Sequence, residues 1–221
     1  MAKSQIIKDI ANGTVSLETT LKRSLVIAHD LKNDKLINWI NNELYGYDNS
    51  KNIPDYRLLP GTLKISYVGG TVQVTNQSIG TGVLPKGHQD ANIYRCCDSI
   101  TTIEEILKSG VTPSVSLAEY IPHLKLGSPY INVMNFITEI PLSAFRRVID
   151  NVAKEIMSVL LKIDEEAGNL DDLDINLSKD KLESLNGTIN IFIENYTSIG
   201  SGNRIEKSNI SGKDISDHVK K

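Results

Sequence analysis

Cysteine is almost missing from this chain: of 221 residues only Cys96 and Cys97 carry thiols. Adjacent cysteines bridge each other only through a strained ring, so no disulfide framework is available and a reducing compartment is expected. Aromatic residues are scarce too, at 5%, which leaves the core to aliphatic side chains. No apolar run approaches the roughly 20 residues that span a bilayer. The residues from 1 to 9 are interrupted by Lys3, Lys8 and Asp9 and do not read as a signal peptide. A cytoplasmic protein without a membrane span is therefore expected. Charge of one sign is also lacking: the net charge of −3 argues against a general polyanion-binding role such as nucleic-acid packaging.

The motifs of common chemistry are missing as well. The histidines are His29, His88, His123 and His218, and no two stand at metal-ligand spacing. Gly69-Gly70, Gly80-Thr81-Gly82 and Gly200-Ser201-Gly202 neither precede a Lys-Ser or Lys-Thr at phosphate-loop spacing nor sit between a strand and a helix. No Gly-x-Ser-x-Gly elbow occurs. Asp164, Glu165, Glu166, Asp171, Asp172 and Asp174 cluster, but without the fixed glycine and terminal glutamate of a calcium loop. No cofactor and no metal are expected, and the catalytic residues, if there are any, stay unknown.

What is there reads as an α+β protein. A short helix over residues 4–11 ends at Asn12-Gly13. Ser16 then caps a helix whose Leu17, Leu21, Leu25, Ala28 and Leu31 share a face. Asn33-Asp34 breaks it, and a third helix runs from Lys35 to Leu44. Residues 63–67 and 71–75 alternate apolar and polar side chains around Gly69-Gly70, the signature of a β-hairpin. Thr101 with Glu104, or Thr102 with Glu105, has capping-box spacing for a short helix through Leu107. Residues 111–130 hold three prolines and read as irregular with one helical turn, and 132–140 as a strand.

Pro141 opens the longest helix, 141–167. Phe145, Val148, Ile149, Val152, Ile156, Val159, Leu160 and Ile163 make an apolar stripe along it. Asp164, Glu165 and Glu166 oppose the dipole at its end, which is expected to fray or to find a basic partner.

Beyond Asn169 the composition turns polar. Residues 188–194 alternate with Ile189, Ile191 and Ile193 on one side, as a strand would. Ile193, Ile199, Ile205, Ile210 and Ile215 then recur every five or six residues. Two readings stay open: a flexible tail, which is preferred, and β-rich rungs that would need other copies of the chain. The expected organisation is a helical unit over 1–60, an α+β remainder over 61–168, and a linker and tail over 169–221.

Residues 39–57 concentrate polar and aromatic groups: Trp39, Glu43, Tyr45, Gly46, Tyr47, Pro54, Tyr56 and Arg57. Gly46 suits the end of a helix, and Arg57 is within plausible reach of Glu43. One reading is a helix-closing staple that glues the helical unit to the sheet; the other is an exposed surface for a ligand or partner. The staple is preferred, since buried Tyr and Trp with satisfied polar tips are ordinary.

Val15-Ser16-Leu17, Ala28-x-x-Leu31, Trp39-x-x-x-Glu43-Leu44-x-Gly46-Tyr47 and Pro54-x-Tyr56-Arg57 together resemble the AbiTii domain of bacterial abortive-infection defence against phage. The resemblance covers 4–60 and, more loosely, the chain to about 165. Tyr45 and His29 depart from it, standing where the family more often has Asn and a basic residue. It implies a bacterial, cytoplasmic, antiviral context and no reaction. The family motif, and the candidate for any binding, is Trp39, Glu43, Gly46, Tyr47, Pro54, Tyr56 and Arg57.

Three functions follow as expectations. The first is a defence protein acting by binding and self-assembly. It would form a homo-oligomer through the helix face from Phe145 to Ile163 or the isoleucines from Ile189 to Ile215, with a phage or host protein as a further partner. The second is a toxin enzyme, nuclease or nucleotide-modifying, using Glu43 and Arg57 with Tyr47 and Tyr56. The third is a nucleic-acid-binding module using Lys22, Arg23, Lys32 and Lys35 on the helical unit.

Overall fold

A computed structural model describes residues 3–48, 53–128, 130–171, 175 and 177–198. Three helices open the chain: α1 (Gln5–Asn12), α2 (Leu17–Asp30) and α3 (Asp34–Tyr45). Their boundaries follow from side-chain capping of free helix amides. Ser16 accepts from the Thr19 amide at 3.1 Å, and Asn33 from the Leu36 amide at 3.0 Å. Gly13 ends α1 in the left-handed region at φ 63°. The expected three-helix unit is thus present.

A 3-10 turn (Asp55–Arg57) leads into β1 (Leu58–Pro60), β2 (Thr62–Gly69) and β3 (Val72–Ile79). The expected β2–β3 hairpin is present and runs longer than expected; its turn is Gly70-Thr71, with Gly69 still in β2 and paired with Val72. After β4 (Ile93–Arg95) comes α4 (Ile100–Ser109), then β5 (Ser114–Ser116), a 3-10 segment (Ala118–His123) and β6 (Ile131–Glu139). The capping-box expectation is corrected here: Ser99, not Thr101 or Thr102, caps α4, accepting from the Thr102 amide at 3.2 Å. β5 was not anticipated. It has only three residues, all exposed, and so no burial pattern to read.

Among the described residues two antiparallel sheets result, β1 with β4 and the four-stranded β3-β2-β6-β5. Ser66 sits opposite a register shift on both sides, and Asn76 on β3 takes φ 52° and donates its amide to Ser66 Oγ at 3.0 Å. One face of the larger sheet packs Leu63, Ile65 and Phe136 with Leu84 and Leu117 into a small core.

The principal core is helical and is organised by α5 (Leu142–Ala167). Phe145, Val148, Val152, Ile156, Val159, Leu160 and Ile163 are at most 1% exposed, each contributing about 1.5–3 kcal/mol by leaving water. α1, α2 and α4 pack on this helix, as does α6 (Lys179–Ser198). The stripe expected to join copies of the chain is therefore buried within the chain's own core. The acidic end of α5 finds its basic partners: Lys3 reaches Asp164 at 3.0 Å, and Lys162 reaches Glu165 and Glu166 at 3.2 and 3.0 Å.

The strand expected over 188–194 is replaced by helix. Ile189 and Ile193 alternate with their neighbours, but with Leu182, Leu185 and Tyr196 they also recur every three or four residues. That second period buries Leu185, Ile189 and Ile193 against the core, leaving Ile191 58% exposed. Burial overrides the poor helix propensity of Gly187, Thr188 and the asparagines. Residues from the helical unit, the α+β remainder and the segment after 168 share one apolar core. Ile199, Ile205, Ile210 and Ile215 lie outside the described residues.

Candidate functional site

The described stretches 39–48 and 53–57 meet at the end of α3. Trp39 and Glu43 stand one turn apart on the buried face of that helix. Gly46 then turns the chain at φ 91°, with an added Cβ falling 2.7 Å from the Cys97 carbonyl oxygen. Only glycine combines that conformation with that approach. The Tyr47 amide donates to the same carbonyl at 2.9 Å. Pro54, extended at φ −61° and buried, precedes the 3-10 turn that aims Tyr56 and Arg57 back at α3.

Glu43 and Arg57 form an ion pair at 2.6 Å with both side chains 0% exposed. A charge taken from water is tolerated only when paired and hydrogen-bonded, and here the pairing is dense. Glu43 Oε1 accepts from the Tyr47 hydroxyl at 2.7 Å, the Tyr56 hydroxyl at 2.5 Å and Arg57 Nε at 3.4 Å, while Oε2 takes Arg57 Nη2. Arg57 Nη1 donates to the carbonyls of Cys96 and Asp98 at 3.1 and 2.6 Å. The Tyr47 ring lies against the guanidinium, 4.8 Å from ring centre to Cζ. Trp39 Nε1 donates to the Tyr56 hydroxyl at 3.1 Å.

Burial opposes the guanidinium's charge, but Glu43 more than offsets it and the Arg57 pKa is raised. The phenols of Tyr47 and Tyr56 are pushed well above their ordinary range, first by burial and then by the Glu43 carboxylate. The cluster thus holds one carboxylate, one guanidinium and two protonated phenols whose donors already point at the carboxylate.

The structure therefore brings together Trp39, Glu43, Tyr47, Tyr56 and Arg57, with Gly46 and Pro54 shaping the backbone around them. It joins them as an enclosed staple between α3, the turn before β1 and the strand end at Cys96. The exposed polar–aromatic surface weighed for this segment is not formed. Tyr45 lies outside the cluster, 72% exposed.

Sequence reasoning missed one member. Tyr196 on α6 stacks on Tyr56 with centroids 4.5 Å apart and meets Trp39 edge-on at 6.1 Å. The signal was the stripe that places Tyr196 three residues after Ile193. Its hydroxyl is buried without a hydrogen-bond partner among the described residues.

The other sequence candidates scatter. Cys96 is buried and Cys97 half-buried. His29, Arg146 and Arg147 are exposed. On the helical unit Lys22 pairs with Glu18 at 2.6 Å, Arg23 with Asp9 at 2.8 Å and Lys35 with Glu194, so three of the four basic groups considered for nucleic acid already have acidic partners. Among the described residues no group of His, Cys, Asp and Glu is arranged to hold a metal ion, and no helix is long and apolar enough to cross a membrane.

No curated protein and no solved structure matches the chain. The AbiTii family model matches residues 4–188, which takes in the staple from Trp39 to Asp98 but not Tyr196, with all of α5 and the first half of α6, beyond the limit near 165 expected from sequence. The chain belongs to the AbiTii family, a membership that points to abortive-infection defence against phage.

Proposed function

We propose that this protein serves phage defence by binding and self-association, with the Glu43–Arg57 cluster holding its shape. The observation that carries this reading is the contrast between a closed cluster and an open sheet edge. Glu43 accepts four donors and is sealed from solvent, whereas among the described residues β3 pairs only with β2 and its other edge has no strand beside it. A general acid or nucleophile needs access to a substrate atom, and neither side chain of the pair has it.

Edge strands commonly carry lysine or proline, which keep other strands away. β3 has eight residues, Val72-Gln73-Val74-Thr75-Asn76-Gln77-Ser78-Ile79, with no charge and no proline. In a two-fold antiparallel contact each residue approaches its own copy or a near neighbour, so any charge would repel its like. The uncharged strand suits pairing with a second copy of itself, which would join two four-stranded sheets into one. This surface takes the place of the α5 face as the site of assembly.

Size-exclusion chromatography with light scattering on the full chain tests the reading. Dimers or larger species are expected for the natural sequence, and monomers for Gln73→Lys with Thr75→Lys, both at exposed positions. A monomeric natural chain, or a variant that assembles unchanged, overturns it. The catalytic alternative has its own test: Glu43→Gln protein that stays folded but loses defence activity would restore it.

A further inference from the structure

On the sheet side of the molecule, away from the staple, the loop after Leu84 and the 3-10 segment Ala118–His123 face each other across a cleft of about 730 Å³. Ligand pockets commonly fall between 300 and 1,000 Å³, roughly. The cleft is lined by Pro85, Lys86, His88, Glu119, Tyr120, His123 and Lys125. Neither histidine had a partner in sequence; the fold brings both to one space with two lysines, a phenol and a carboxylate.

The walls are built on packed structure. Leu84 and Leu117 are buried in the small core, with Tyr120, Ile121 and Leu124 packed against it. The Lys125 amide donates to the Val83 carbonyl at 2.9 Å, tying one wall to the other. Gly87 turns the loop at φ 85°, and Gln89 closes it by accepting from the Gly87 amide and donating to the Pro85 carbonyl. The His88 ring meets the Tyr120 ring at 5.4 Å and 62°, giving the cleft an aromatic side.

The charges in it are uncommitted. Among the described residues Lys86 and Lys125 make no ion pair, so both ammonium groups remain available to a ligand. Two ammonium groups against one carboxylate favour an anion, with two imidazoles beside them as hydrogen-bonding groups. Phosphate oxygens suit lysine as a point charge, the His88–Tyr120 side offers rings on which a base can stack, and Glu119 can accept from a sugar hydroxyl or an exocyclic amine.

We propose that this cleft binds a nucleoside phosphate, with Lys86 and Lys125 on the phosphate and the His88–Tyr120 wall against the base. The same chemistry is offered by a free nucleotide and by the phosphorylated end of an RNA strand, and the experiment separates them.

Full-length protein is titrated with ADP, adenosine, inorganic phosphate, and a short single-stranded RNA carrying either a 5′-phosphate or a 5′-hydroxyl. Binding is read from the imidazole NMR signals, assigned through His88→Gln and His123→Gln. ADP is expected to shift both His88 and His123 while the His29 signal stays in place. Lys86→Gln with Lys125→Gln, shown to be folded by an unchanged melt, is expected to weaken ADP roughly tenfold or more.

Binding of RNA only when it is 5′-phosphorylated assigns the cleft to strand ends. Binding of ADP without RNA assigns it to free nucleotide. No shift at His88 or His123 with any probe overturns the proposal. So does inorganic phosphate binding as tightly as ADP, since the base would then contribute nothing, and so does full affinity in the double lysine variant.

Discussion

Tyr196 and Tyr56 stack face to face at 4.5 Å although 140 positions separate them, joining the last described helix to the staple. The contact seals the cluster from one side. It also leaves the Tyr196 hydroxyl buried without a partner among the described residues.

A buried hydroxyl without a hydrogen bond is a standing cost, on the order of 1–3 kcal/mol. Tyr196→Phe keeps the stack and removes the hydroxyl, so it is expected to leave stability unchanged or raise it. Tyr196→Ala removes the ring and is expected to cost about 3–5 kcal/mol. Urea unfolding of the two variants checks both signs; a marked loss in the Phe variant would mean the hydroxyl is satisfied after all.

Breaking the ion pair should be far worse than replacing it. Glu43→Gln leaves the Arg57 charge buried and is expected to lose about 3–5 kcal/mol, as is Arg57→Ala. Glu43→Leu combined with Arg57→Met is expected to recover part of that loss, because no buried charge is left alone. The Tyr47 and Tyr56 hydroxyls and the Cys96 and Asp98 carbonyls would still lose partners, so recovery should be incomplete. A double variant no more stable than the single ones would contradict the account.

Gly46→Ala tests the backbone at the heart of the staple. The side chain would meet φ 91° and a carbonyl oxygen at 2.7 Å together. A loss of about 1–3 kcal/mol is expected from the strain. Gly13→Ala, also at positive φ but with open space around it, should cost less, and the difference between the two melts isolates the close approach.

Stability should fall on the alkaline side. Burial pushes the Cys96 thiol up to about 12. Burial first and nearby carboxylates second raise Tyr47, Tyr56, Tyr94 and Tyr196. Groups raised in the folded state bind protons more tightly there than in the unfolded chain. Their contribution is complete below the unfolded values of about 9 and 10 and is lost as pH climbs through the folded ones. Phenolate absorbance should therefore rise in two steps, with these four tyrosines ionising only as circular dichroism collapses. A single step near pH 10, roughly, with the fold intact would refute it.

The helical half of this fold was legible because its signals were local. Ser16 and Asn33 cap their own helices, and the stripe from Phe145 to Ile163 has one period and no rival. The staple was legible for the same reason, since Glu43 and Arg57 are close in sequence and a buried arginine has few partners to choose from. α6 was not, because Ile189, Ile191 and Ile193 fit a strand as well as a helix, and only the surface of α3 and α5 decides between them. The cleft was not legible either. His88 and His123 acquire a relation only when the small core brings Leu84 beside Leu117.

The clasp between the two ends of the core has a consequence for synthesis. Ser4 donates through its hydroxyl to Asp164 and accepts from the Leu170 amide at 2.9 Å; Asn33 Nδ2 donates to Asn186 Oδ1 on α6 at 3.1 Å, and Asn186 Nδ2 donates to the Leu31 carbonyl at the end of α2 at 2.8 Å. These partners are made more than 150 positions apart. At roughly 5–20 residues per second, a ribosome spends many seconds between them. During that interval the Trp39 and Tyr56 rings lack their cover. A chain cut short before α6 would lack the Tyr196 ring that packs on Trp39 and Tyr56, and would leave that side of the cluster uncovered.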